Sequence, residues 1–436
     1  MKLYSTNDKN NIVDLKKAVL NAFPKDKGLY MPISIPKLDS RFLNNLYQYS
    51  LIDIAFIVSQ NLIGNYIPEA DLYKIVSKAI NFPAPVHTHD NRISALELFH
   101  GPSMAFKDFG ARYMAELMSY FLRNEDRETT ILVATSGDTG GAVAAGFHNV
   151  PGINVIILYP SGKVSPLQEK QLTTWGDNIK AIEVNGVFDD CQALVKEAFL
   201  DDHLKEKYTF SSANSINIAR LIPQSFYYFE GYKQVQDKAE KIVFSIPSGN
   251  FGNLTAGLLA YQMGLPVSKF LAATNINDTV PSYLSSGKYE AKASVQTISN
   301  AMDVGAPSNF TRMQHLFGDD SSTWNNMKKL IKGYTYNDMQ TKKTMKSILK
   351  KYNYIADPHG AIGYQACVDY LSNTTEDVHA VYLETAHPGK FGDVVEDTLG
   401  NPLILPKSLS KFLTEEKVAY NCDKEYTSFK KLLMSI

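Results

Sequence analysis

Surplus charge, cysteine and long apolar runs are all scarce in this 436-residue chain, and each shortage removes a class of function. Lysine and arginine number 44 against 45 aspartates and glutamates, so the chain lacks the basic excess that meets nucleic acid or an anionic membrane. The three cysteines, Cys191, Cys367 and Cys422, are scattered and odd in number, without the spacing of a zinc site or a redox pair. They are expected to be buried thiols in a reducing compartment. No stretch approaches the roughly 18 apolar residues of a membrane span, and the first residues lack the apolar core of a signal peptide, so a cytosolic location is expected. Internal repeats, low-complexity tracts, metal-ligand clusters, GxGxxG and Walker loops are missing too.

What is present is ordinary globular composition, 44% apolar and 20% charged, enough to bury large cores in two or three domains. Apolar residues recur at helical spacing over 12–23, 50–62 and 71–80, which predicts a mainly helical N-terminal unit over 1–85, closed by the Pro-bearing stretch 81–85. Beyond it the pattern alternates. Strand candidates at 95–99, 130–134, 154–159, 179–184, 241–246, 270–274 and 380–384 are separated by helical stretches. That alternation predicts an α/β chain with two open, mostly parallel sheets, assigned to a smaller domain over 86–235 and a larger one over 236–436. The weakly periodic, Ser/Gly/Asn/Asp-rich stretch 282–322 reads as a mobile insertion, and the aromatic run Phe226-Tyr227-Tyr228-Phe229 as a helix packed on a sheet.

Chemistry concentrates at loop-to-helix junctions. Lys107, in GPSMAFKDFG, stands at a helix start behind Met104, Ala105 and Phe106, where an amine can be shielded enough to attack an aldehyde. Alone, such a lysine is far more often a surface charge. Three strand-to-helix turns carry glycine with hydroxyl or amide residues: ATSGDTGG at 134–141, the weaker YPSGK at 159–163, and SGNFGNLT at 248–255. The last is the best anion cradle, because Gly249 and Gly252 permit close backbone approach while Ser248, Asn250, Asn253 and Thr255 offer polar side chains. Singly each is an ordinary βα turn; together they lie at the strand ends where open α/β sheets bind ligands. Thr385 could hydrogen-bond a heterocycle nitrogen or simply cap a helix. Arg220, beside Ser215 in SSANSINIAR, is a candidate phosphate clamp or a surface arginine after a capped helix. His87 and His89 have no evident acidic or thiol partner and are assigned to packing.

Over nearly its whole length, GPSMAFKDFG, ATSGDTGGA, SANSINIARLIPQ, PSGNFGN and LETAHPGKF in that order closely resemble the threonine synthase family, in the longer form of enterobacteria and fungi. The resemblance implies a fold type II pyridoxal-phosphate enzyme, tryptophan synthase beta-like, converting O-phospho-L-homoserine and water to L-threonine and phosphate. It implies that Lys107 carries pyridoxal 5′-phosphate as a Schiff base and that Ser248, Gly249, Asn250, Phe251, Gly252 and Asn253 hold the cofactor phosphate. Thr385 would face the pyridine nitrogen. Ser136 and Thr139 would meet the substrate carboxylate, and Ser215 with Arg220 the substrate phosphate. No metal is implied, and the expected assembly is a monomer or weak homo-oligomer acting on a small molecule. Many fold type II relatives carry Asn where this chain has Asp138, so Asp138 is expected to turn away or to accept from a backbone N–H. The alternatives are a phospholyase releasing 2-oxobutyrate from the same substrate and a non-catalytic binding protein on the same scaffold.

Overall fold

The computed structural model describes residues 1–436. It opens on an antiparallel sheet ordered β2-β1-β3, from β1 (Lys2–Ser5), β2 (Asp8–Asp14) and β3 (Tyr30–Pro32). The helical reading of 1–85 missed this sheet because its longest strand, DKNNIVD, buries only Val13 and so shows no apolar alternation. The expected helices do form. Asp14 caps Leu15–Asn21, a Ser50/Asp53 capping box starts Leu51–Ile63, and Glu69–Ala79 follows. Leu3, Val58, Leu72 and Val76 share one core with Phe109, Tyr113 and Leu117 of the helix Lys107–Leu122, so the N-terminal unit helps to fix the helix that starts at Lys107.

All seven expected strands are present to within two residues: β5 (Ile93–Glu97), β6 (Thr129–Ala134), β7 (Ile153–Pro160), β8 (Ile179–Asn185), β10 (Lys241–Pro247), β11 (Lys269–Thr274) and β13 (Val378–Glu384). The short strands β4 (Val86–Thr88), β9 (Thr209–Ser211), β12 (Ile331–Thr335) and β14 (Tyr420–Asp423) complete two sheets. The larger runs β12-β11-β10-β13-β5-β4 and is parallel except for β4; the smaller, β14-β8-β7-β6-β9, is parallel throughout. Strands such as β6 and β13 are buried at every residue, as central parallel strands covered on both faces must be.

Strand pairing does not follow the contiguous division 86–235 and 236–436. β4 and β5 belong to the larger sheet, beside β13, while β14 crosses back to β8 of the smaller one. Hydropathy marks a strand but not a partner nearly 300 residues away. Nor is the whole of 282–322 an insertion. Its C-terminal part forms the helix Phe310–Leu316 and places Asn309 and Arg312 fully inside the protein. The four aromatics 226–229 are buried on the helix Phe226–Val235, with the Tyr228 ring 5.3 Å from Phe244 of β10 and 6.1 Å from Phe270 of β11.

Candidate active site

Lys107 is the first residue of its helix, and the turn before it is tightly drawn. Met104 adopts the left-handed conformation at φ 55°, the Ser103 N–H donates to Asp108 at 2.9 Å, and a Cβ on Gly101 would lie 2.4 Å from that same carboxylate. The strand-end segment after β13 closes over this turn. Phe106 N–H donates to the Thr385 carbonyl at 2.8 Å, and Ala105 bridges Ala386. The Lys107 side chain is 17% exposed and makes one polar contact, Nζ to Oδ2 of Asp138 at 3.2 Å. Burial pulls its proton affinity below the ordinary lysine range, Asp138 offsets part of this, and Lys390 and Arg220 add to the lowering.

Asp138 neither turns away nor accepts from a backbone N–H. Its Oδ1 accepts from Gln168 Nε2 at 2.8 Å and faces Lys390 Nζ at 3.1 Å, while Oδ2 faces Lys107. Burial alone would raise this carboxyl; the two ammonium groups and the Gln168 amide outweigh it and hold the group well below the usual carboxylate range. Lys390 went unassigned in the sequence, although it lies in the quoted LETAHPGKF. It is wholly buried, and its Nζ also donates to the Ser103 carbonyl at 2.7 Å.

Two turns present unsatisfied N–H groups. At 249–253 no backbone N–H has an acceptor in the chain, and Phe251 sits in the left-handed region at φ 58° and ψ 18°, a geometry that gathers N–H groups into an anion nest. The polar side chains brace this turn. Ser248 donates to Asn253 at 2.6 Å, the Asn253 amide to the Pro247 carbonyl at 2.9 Å, and Thr255 to the Phe251 carbonyl at 2.6 Å. At the start of the helix Asp138–Phe147, the N–H groups of Ser136, Asp138 and Thr139 are free as well, and the hydroxyls of Ser136 and Thr139 have no partner in the chain. Thr135 Oγ1 takes the Gly137 and Gly140 N–H groups and shapes that turn. The weaker candidate at 159–163 is a surface turn, with Ser161 bonded to Glu183.

Ser215 and Arg220 take different partners within the chain. Ser215 Oγ accepts from Asn250 Nδ2 at 2.5 Å and from Asn309 Nδ2 at 3.2 Å, which ties it to the 248–253 turn. Arg220 is 3% exposed, donates from Nη1 to the Ala213 carbonyl at 2.7 Å, and presents Nε without an acceptor against Gly110, one turn beyond Lys107. Asn217 caps the helix Ile218–Leu221, but the arginine that follows is buried rather than on the surface. A second cation was missed. Arg312, fully buried without a carboxylate partner, holds the carbonyls of Tyr30, Ser215 and Ile216 together with Asn309 Oδ1, and burial lowers it to about 9. Its helix opens in the stretch read as an insertion, and an arginine there carries no signal of its own. Thr385 is 6% exposed with no partner for its hydroxyl, and His387 makes the local cap instead. Beneath it, burial and then the neighbouring Asp357 charge push the Glu384 carboxyl well above its ordinary range.

His89 is a packing residue, stacked on Tyr382 at 12° and on Tyr352 at 23°. The three cysteines are free and buried. A surface cavity of about 560 Å³ is lined by Asp338, Lys342, Lys343 and Lys346, none of which belongs to this cluster.

Lys390 and Arg220 thus face the primary amine of Lys107 with one carboxylate, Asp138, among them, while Arg312 braces the 248–253 turn through Asn309. The residues fit a small aldehyde with a phosphate tail: an amine to bond the aldehyde, free N–H donors for the phosphate, and an unpaired hydroxyl for a ring nitrogen. Fold and site together define a fold type II pyridoxal-phosphate enzyme. The family described as pyridoxal-phosphate dependent enzyme matches residues 81–383, threonine synthase N terminus matches 2–80, and threonine synthase, C-terminal, matches 360–433. The chain is 44% identical to the threonine synthase of Escherichia coli over 100% of both chains. The crystal structure of threonine synthase from Escherichia coli superposes with a TM-score of 0.93 at 43% identity over 100% of both chains. A PLP-bound threonine synthase from Brucella melitensis also gives 0.93, at 32% identity over 100% of this chain and 99% of its own. The chain belongs to the threonine synthase family.

Proposed function

We propose that this chain converts O-phospho-L-homoserine and water to L-threonine and phosphate with pyridoxal 5′-phosphate bound at Lys107. The observation that carries the reading is the presence of two separate sets of unsatisfied donors, at 249–253 and at 136–139, together with a buried Arg220 guanidinium whose Nε has no acceptor and an amine of lowered proton affinity at Lys107. A substrate bearing its own carboxylate and phosphate needs anion sites beyond the one taken by the cofactor, and an excess of buried cations suits that load.

In this reading the N–H groups of 249–253 hold the cofactor phosphate, with Ser248, Asn250 and Asn253 bracing their turn, and the Thr385 hydroxyl meets the ring nitrogen. Bound there, the cofactor supplies an electron sink for negative charge developing at the substrate Cα. Ser136 and Thr139 receive the substrate carboxylate through their hydroxyls and through the free N–H groups of their turn. Arg220 receives the departing phosphate, while Ser215 serves the cofactor turn. Lys107 Nζ, poor in proton affinity, takes protons from the substrate carbons, and Asp138 Oδ2 stabilises the ammonium that results. Buried free thiols at Cys191, Cys367 and Cys422 favour a cytosolic setting, and a monomer or weak homo-oligomer is the proposed assembly.

Purified, cofactor-loaded protein incubated with O-phospho-L-homoserine is expected to release L-threonine and phosphate in equal amounts. Release of 2-oxobutyrate and ammonia in place of threonine would make the protein a phospholyase, and no product at all would reject the reading.

A further inference from the structure

The site holds two buried lysines and one carboxylate between them. Asp138 offers Oδ2 to Lys107 at 3.2 Å and Oδ1 to Lys390 at 3.1 Å, with the Gln168 amide also on Oδ1. Lys390 is 0% exposed and already has a second acceptor in the Ser103 carbonyl, whereas Lys107 is partly open and has only the carboxylate. The two amines are therefore unequal. Lys390, on the 3₁₀ turn Pro388–Phe391, is locked in place, and Lys107 is the one left free to react. A lone Asp138–Lys107 ion pair would instead hold the reactive amine as a charged, blocked ammonium.

We propose that Lys390 is a positioning residue for Lys107: it engages the charge of Asp138 from one side, so that the carboxylate orients the Lys107 nitrogen without capturing it as an ion pair. This deepens the proposed reaction and rests on the role given there to Lys107. The charged groups facing Lys107 are Asp138 from the helix Asp138–Phe147, Lys390 from its turn, and Arg220 from the helix Ile218–Leu221. Asp108, on the same helix as Lys107, is turned to the Ser103 N–H, and His359 acts on Asp138 from the helix Pro358–Ser372. Removing the Lys390 charge has one direction of effect by two routes. Lys107 loses a like-charged neighbour and gains undivided attraction to Asp138, and both strengthen its hold on a proton.

Lys390 also braces the 101–108 turn through Ser103, so the test must separate charge from bracing. K390Q can still donate to the Ser103 carbonyl but carries no charge; K390M does neither; K390R keeps the charge. On full-length holoenzyme, the pH midpoint of the bound cofactor's visible absorbance reads protonation of the lysine nitrogen without any substrate. The acid limb of kcat/KM for O-phospho-L-homoserine reads it in turnover. K390Q is expected to move both upward by about one pH unit or more, and K390R to bring them back toward wild type. Should K390M not fold, K390Q carries the test alone. Midpoints at the wild-type value in K390Q, with turnover lowered or not, would overturn the proposal and leave Lys390 as a brace. The absorbance midpoint stands even if wild type makes no threonine, so failure of the reaction assignment is seen separately.

Discussion

Replacing Gly249 by alanine tests whether the backbone of the 248–253 turn, rather than its side chains, holds the cofactor phosphate. An added Cβ would lie 2.7 Å from Met302 Cα and 2.8 Å from the Ala301 carbonyl oxygen, both main-chain atoms that cannot swing aside. Ordinary contact starts near 3.4 Å, so turn and neighbour must separate by about 0.7 Å. A shift of that size takes one or two N–H donors out of hydrogen-bond range of a bound phosphate. Each charge-assisted bond lost is worth about 1.5–3 kcal/mol, so one to two of them weaken binding by about 1.5–6 kcal/mol, or about 10- to 20,000-fold. Gly252 makes the comparison within the same turn, because its Cβ would meet Asn309 and Ser215 at 3.5 and 3.6 Å, ordinary distances. Titration of cofactor-free protein with pyridoxal 5′-phosphate, followed by absorbance, should give a dissociation constant for G249A at least tenfold above that of G252A. Circular dichroism should show both folded. Equal, near-wild-type affinity in G249A would refute the argument that the turn's N–H groups carry the phosphate.

Two further outcomes follow from other parts of the site. R220A should raise KM for O-phospho-L-homoserine by about 10- to 150-fold through loss of a charged donor worth about 1.5–3 kcal/mol. Steady-state constants near wild type would remove Arg220 from the substrate site. The Glu384 carboxyl, raised in the folded protein by burial and then by Asp357, binds its proton more tightly there than in the unfolded chain. Wild-type stability should therefore be full below the ordinary carboxyl value of 4.5 and decline as pH rises from there toward the folded-state value. E384Q, which cannot ionise, should flatten that decline in thermal melts across the same range, and an unchanged slope would show Glu384 to be charged in the fold.

Most of the site was legible in the sequence because its parts are local. A strand, a glycine-bearing turn and a helix start occupy a dozen residues, and Lys107, 134–141 and 248–255 each display that sequence within one window. What could not be read is what depends on distant pairing. Asp138 was expected to turn away or to accept from a backbone N–H, but its partners arrive from residue 107 on one side and residue 390 on the other. The partners of Ser215 and Arg220, five residues apart, could not be read either: with a helix start between them, one meets Asn250 and the other lies against Gly110. Arg312 is held by main-chain carbonyls, which leave no complementary charge in the sequence to betray it. The same limit applies to the fold. The seven strands of strong hydropathy were found, while polar β2 and three-residue β4 and β9 were not, and the chain's return from one sheet to the other through β5 and β14 is set by packing alone.

Because two buried lysines share Asp138, the most direct test of the account is to ask which of them bonds the cofactor. Holoenzyme reduced with borohydride, digested and mapped by mass spectrometry should carry the pyridoxyl-phosphate mass on the peptide containing Lys107, with the Lys390 peptide unmodified. Modification at Lys390, or at any lysine other than Lys107, would contradict it.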